Sequence, residues 1–96
     1  MAIAALELTV WGAVQGVGFR SAVRQQAQIL GLTGTVSNNA DGSVRVHAEG
    51  DRLRLQAFFH WCYTGVRSAR VDRIQTSWAV PTRRYQDFVI ATFGNG

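Results

Sequence analysis

The residues best suited to chemistry lie together in Gln15-Gly16-Val17-Gly18-Phe19-Arg20. The run follows an alternating segment, Leu6 to Trp11, that reads as a half-buried strand, and precedes Ser21 to Leu30, which reads as a helix. In a strand–glycine turn–helix layout, backbone N–H groups can surround an anion, because the first amides of a helix lack intrahelical partners and the helix dipole favours negative charge there. Gly16 and Gly18 permit positive φ and close ligand approach. Arg20 adds a planar fork that matches phosphate or carboxylate oxygens. The stretch therefore reads as an oxyanion cradle with one arginine.

Two other glycine motifs fit less well. A P-loop needs Gly-Lys before Ser or Thr, and all ten basic residues of this chain are arginine. The dinucleotide fingerprint needs a third glycine where Ser21 stands, and a longer parallel α/β unit than 96 residues supply. Taken alone, the glycines could serve only a tight turn, with Arg20 solvated.

The elements that must position this stretch follow from the rest of the chain. Phe19, Val23, Ala27 and Leu30 form one helical stripe, and Gly31 is its C-cap. Thr33 to Asn38 reads as a strand, Asn39-Ala40-Asp41-Gly42 as a turn, and Ser43 to Glu49 as a second alternating strand, together an antiparallel hairpin. Gly50 is expected to end that strand and Asp51 to cap a second helix, with Leu55, Phe58, Phe59 and Cys62 on its buried stripe and Gly65 at its end. Ala69 to Trp78 and Phe88 to Ala91 read as further strands, with a turn around Pro81 and a tail from Phe93 to Gly96.

The order β-α-β-β-α-β plus a short fifth strand predicts an α+β, ferredoxin-like two-layer sandwich, with two helices on one face of a mostly antiparallel sheet. A crossover through the first helix makes the first two strands run the same way, so their C-terminal ends share one edge. An anion in the loop then has Asn38 close by.

Length and composition set the class. Residues 1–96 suit one domain, 47% hydrophobic residues are ample for a core, and 17% charged residues argue against disorder. Cys62 is the sole cysteine, so an internal disulfide is impossible and a reducing cytoplasm is the expected setting. The apolar start, Met1 to Leu6, is short and has no basic stretch before it, so neither a signal peptide nor a membrane span is expected. A net charge of +4 gives a mild preference for anions, but the arginines are scattered, Arg83-Arg84 being the one tight pair, and no basic helix or aromatic sheet motif points to nucleic acid. His47, on the sheet face away from the helices, and His60, on the exposed side of the second helix, lack a third ligand, so no metal site and no cofactor are expected. Cys62 reads as core, Asp41 as a turn residue, and Trp11 and His47 as neighbours on the open sheet face. A monomer is the default for so small a domain.

With both halves of the pattern in view, Gly12-x-Val14-Gln15-Gly16-Val17-Gly18-Phe19-Arg20 and Leu30-Gly31-Leu32-x-Gly34-x-Val36-x-Asn38-x-x-Asp41-Gly42-x-Val44 resemble the acylphosphatase family, as does the start of the fourth strand, Ala69 to Arg73. The similarity runs from about Leu6 to Ile90. It implies the sandwich already derived and hydrolysis of the carboxyl–phosphate bond of acyl phosphates, releasing inorganic phosphate. By resemblance, Arg20 binds the phosphate with the amides of Gln15, Gly16, Val17, Gly18 and Phe19, and Asn38 positions the attacking water. Thr35 stands where the family often has tryptophan, and Asp51 where proline often follows the glycine. The alternative is a related module that binds a phosphorylated or carbamoylated ligand without turning it over.

Overall fold

The computed structural model describes residues 2–91. Its elements are β1 (Ile3–Ala13), α1 (Phe19–Ile29), β2 (Thr33–Asn38), β3 (Val44–Asp51), α2 (Arg52–Thr64), β4 (Arg70–Ala79) and β5 (Phe88–Ile90). The sheet order is β4-β1-β3-β2-β5; every pair is antiparallel except β2–β5. Two helices on one face of this mixed sheet make the ferredoxin-like sandwich that the sequence predicts.

Alternation places the core. Leu6, Leu8 and Val10 of β1 and Val44, Val46 and Ala48 of β3 are buried under the helices, while Glu7, Thr9 and His47 lie on the other face. The first helix contributes Phe19, Val23 and Ala27 at four-residue spacing, and α2 contributes Leu55, Phe58 and Cys62. Phe88 closes the far side of the core edge-on to Phe58, with ring centroids 6.2 Å apart. Burying one such side chain contributes roughly 1.5–3 kcal/mol. Phe59, assigned to the stripe from sequence, is only half-buried.

Several boundaries differ from the sequence reading. The first strand is longer at both ends and carries an irregularity between Trp11 and Gly12. Gly50 does not end β3: Gly50 pairs with Ala4 and Asp51 with Ile3, because the added residues of β1 continue the ladder. The first helix starts two residues early, at Phe19, because its cap is Gly18 in the left-handed region (φ 79°), not a polar side chain. Its end is as read: Gly31 N–H donates to Gln28 O and Leu32 N–H to Ala27 O, the paired bonds of a Schellman motif. The Asp51 side chain caps α2, accepting from Arg54 N–H at 3.3 Å. Thr92 to Gly96, and with them the predicted tail, lie outside the described residues.

A connection that the sequence does not reveal crosses the face opposite the helices. The fourth and fifth strands occupy opposite edges of the sheet, so residues 80–87 must traverse it. Glu49, only 4% exposed, holds this strap: it accepts from Thr82 N–H (2.9 Å), Thr82 Oγ1 (2.7 Å) and Arg83 N–H (2.9 Å), and its Oε2 lies 2.6 Å from His47 Nε2. Tyr85 then lies over His47, ring centroids 5.5 Å apart. Trp11 and His47 do share this face, but the strap covers the histidine and Arg73 sits over the tryptophan at 4.1 Å.

Burial pushes the Glu49 carboxyl up, but the hydrogen bonds from His47, Thr82 and Arg83 outweigh it and bring its pKa down to about 2. A carboxyl depressed in the folded state stabilises the fold above its ordinary value of about 4.5, and that contribution fades as pH falls toward 2. The contribution is at most about 3 kcal/mol. Glu49→Gln should therefore lower stability at pH 7 in urea unfolding and leave it nearly unchanged at pH 2. An equal loss at both pH values would remove the carboxylate from the account.

Candidate active site

Strands β1 and β2 both run antiparallel to β3, hence in the same direction, and Val44 of β3 pairs with Val10 on one side and Asn38 on the other. Val10, three residues before the end of β1, and Asn38 are thus two strand spacings apart, about 10 Å, toward one edge of the sheet. The chain leaves β1 through Val14, which is buried, and enters the glycine loop.

The loop is built from positive-φ glycines, Gly16 at 74° and Gly18 at 79°. A β-carbon at either would meet nothing within 4 Å, so backbone conformation and not crowding calls for glycine there. Gly18 is the N-cap, its carbonyl accepting the first helical bond from Ala22 N–H at 3.1 Å, and it has no side chain with which to cap the amides that follow. The N–H groups of Phe19, Arg20 and Ser21 are left to a ligand or solvent. Gly16, Gly18, Phe19, Arg20 and Ser21, with Val14 and Ile90, line a cleft of about 80 Å³. That is far below the roughly 300 Å³ at which sites for drug-sized ligands begin, and suits a small anion. Half-buried Arg20 makes no hydrogen bond or ion pair among the described residues, so its fork is open to such an anion.

Two side chains fix the loop from outside. The Ser68 hydroxyl, in the α2–β4 connection, donates to Val17 O at 2.7 Å. Across a planar trans peptide C=O and N–H point opposite ways, so this bond turns Gly18 N–H away from Ser68. The Gln15 amide donates to Asn39 O (2.8 Å) and Ser43 O (2.9 Å), both in the turn that follows Asn38. The turn has its own lock: Asn39 Nδ2 donates to Ser43 Oγ at 2.9 Å, and the Ser43 hydroxyl and amide donate to Asp41, lowering its carboxyl pKa. Asn38 itself is exposed, and its side chain has no hydrogen-bond partner among the described residues.

Gly16, Gly18, Phe19 and Arg20 come together in the cleft. Gln15 and Val17 belong to the same loop, but the Gln15 side chain turns to the hairpin and Val17 packs on the core. Asn38 stands across from them on the same sheet edge. Sequence reasoning missed Ser21, Ile90 and the braces from Gln15 and Ser68. Only Ser21 carried a signal, as the next residue of a helix N-terminus. His47 and His60 lie on opposite sides of the sheet. Among the described residues no three His, Cys, Asp or Glu side chains are grouped to hold a metal ion. Burial pushes the Cys62 thiol up to about 12, which keeps it protonated and unreactive.

Comparisons with known proteins place the chain in a family. The profile of the family described as Acylphosphatase matches residues 6–90. An acylphosphatase of Caldanaerobacter subterraneus subsp. tengcongensis is 45% identical over 85 residues, spanning 88% of this chain and 94% of its own. The crystal structure of acylphosphatase from Bacillus subtilis superimposes with a TM-score of 0.88 at 32% identity, covering 95% of this chain and all of that one. Full-length HypF in its phosphate- and nucleotide-bound form also matches, with a TM-score of 0.87 and 32% identity, but this chain covers only 12% of it. With a profile match over nearly its whole length and relatives at this identity and coverage, the chain belongs to the acylphosphatase family.

Proposed function

We propose that this protein hydrolyses the carboxyl–phosphate bond of acyl phosphates, with Arg20 and the loop amides of Gln15 to Phe19 binding the phosphoryl group and Asn38 aiming a water at phosphorus. The observation that carries the reading is the small cleft where uncapped helix amides converge with an arginine that has no ion-pair partner among the described residues, tied by Gln15 to the turn beside Asn38.

The chemistry needs little more. Water attacks phosphorus, the P–O bond to the acyl group breaks, and its electron pair leaves on the carboxylate, while the water's protons end on inorganic phosphate. A carboxylate leaving group, of pKa about 4, needs no general acid at neutral pH. Phosphoryl transfer is accelerated chiefly by positioning and electrostatics. Arginine and amides supply the electrostatics, and the Asn38 carbonyl oxygen can accept a hydrogen bond from the water and hold it in line. The substrate phosphate can take up the proton, so no strong base is required.

On this reading residues 1–96 act as one domain, a metal-independent monomer. The single buried thiol supports a cytoplasmic setting. No helix among the described residues is long and apolar enough to cross a membrane. The decisive assay is release of phosphate from acetyl phosphate before and after exhaustive chelation. Turnover should be equal in both. Activity lost to EDTA and restored by a divalent ion would contradict the mechanism.

The second reading, a binding module, draws on the match to one part of HypF. Phosphate binding without any acyl-phosphate hydrolysis by the parent protein would select it.

A further inference from the structure

We infer that the side chain of Gln15 is a positioning residue for the reaction: by gripping the β2–β3 turn, it sets Asn38 against the phosphate cradle. The inference rests on the roles given above to the cradle and to Asn38.

An amide NH2 has two donors, and Gln15 uses both, on Asn39 O at 2.8 Å and Ser43 O at 2.9 Å. Both partners are carbonyl oxygens, so only the orientation with nitrogen toward the turn satisfies them. Ser43 O also accepts from Asn39 N–H at 2.8 Å. Gln15 therefore holds the bond that closes the turn, one residue beyond Asn38.

Gln15 itself sits between Val14 and Gly16, at the root of the loop. One residue thus links the backbone that surrounds the anion to the backbone that carries the water-aiming amide, across 24 to 28 positions of sequence. The sheet alone does not fix this relation. Its β1–β3 ladder ends at Val10↔Val44, before both the loop and the turn, and the β2–β3 ladder ends at Asn38↔Val44. Beyond those pairs, β4 still holds β1 as far as Ala13↔Arg70 and Ser68 holds the loop, but among the described residues the direct side-chain tie from the loop to the turn is Gln15. In-line attack is sensitive to such a tilt, since a displacement of about 1 Å can cost about 100-fold in rate.

The role separates from a structural one by what it moves. Gln15→Met keeps the length of the side chain and removes both donors. It should lower kcat by ~10-fold or more and leave inhibition by inorganic phosphate within about two-fold, since the loop amides and Arg20 are untouched. In the Asn38→Ala background, the same substitution should change kcat by less than about two-fold, because the residue it positions is gone. Gln15→Leu, uncharged and also lacking both donors, should behave alike and serves as the second variant if Gln15→Met does not fold. The brace is refuted if kcat is unchanged in a folded variant, if phosphate inhibition weakens in step with kcat, or if the two substitutions act additively. If neither variant folds, Gln15 is a folding residue and the inference falls. An active Asn38→Ala protein would instead overturn the water-positioning role, whereas an impaired Asn38→Ala with an unimpaired Gln15→Met would overturn the brace alone.

Discussion

Arg20→Ala should reduce kcat/KM for acetyl phosphate by ~10³-fold or more, and weaken inhibition by inorganic phosphate with it. Removing a single preorganised donor from a site of developing negative charge costs about 10² to 10³, and Arg20 brings a full charge and two donors in one plane. Bound phosphate and the transition state both present that charge, so ground-state and transition-state binding should fall together. The fold should hardly notice. Arg20 has no ion-pair or hydrogen-bond partner among the described residues, so its loss leaves no buried group unpaired. The melting temperature should stay near that of the parent. Arg20→Lys should recover only part of the activity, since an ammonium restores the charge without the fork. Unchanged hydrolysis and unchanged phosphate inhibition in Arg20→Ala would show the cradle to be misassigned.

That the cradle could be read from sequence, while its supports could not, has a physical reason. The loop is contiguous: six consecutive residues carry its glycines, its helix-initial amides and its arginine. Asn38 is not adjacent, but a right-handed crossover and a hairpin suffice to bring its strand end to the same edge. By contrast, Ser68 reaches Val17 across 51 positions, and Glu49 reaches Thr82 across 33. Neither pairing follows from periodicity. Glu49 is instructive because alternation along the second hairpin strand puts it on the same face as His47, away from the helices. That face looked open only because the path of residues 80–87 is set by sheet order, which alternation does not reveal. Gly50 failed for a related reason. A glycine weakens a strand locally, but the partner residues Ile3 and Ala4 decide whether the ladder goes on. Met-Ala-Ile-Ala-Ala offers little polar–apolar contrast from which to see them coming.

Asn38→Ala should lower kcat by ~100-fold or more, the range attached to lost positioning, with phosphate affinity nearly intact. Asn38 ends β2 on the same edge as the loop, exposed, with its amide unengaged among the described residues. An uncharged amide that accepts a hydrogen bond from water contributes little to holding a phosphate, but it directs the nucleophile. An interaction made chiefly in the transition state lowers kcat and kcat/KM alike and leaves KM unchanged. The hairpin does not depend on this side chain. Its turn is closed by Asn39, Asp41 and Ser43, and its register by the pairs from Thr33↔Glu49 to Asn38↔Val44. The variant should therefore fold, with circular dichroism and melting temperature close to the parent. Asn38→Asp is the sharper companion. A carboxylate still accepts from water, yet its charge opposes the phosphoryl oxygens, so phosphate inhibition should weaken there and not in Asn38→Ala. Parent-like hydrolysis by folded Asn38→Ala would reduce Asn38 to a turn residue, and the water would have to be aimed by another group on this edge of the sheet.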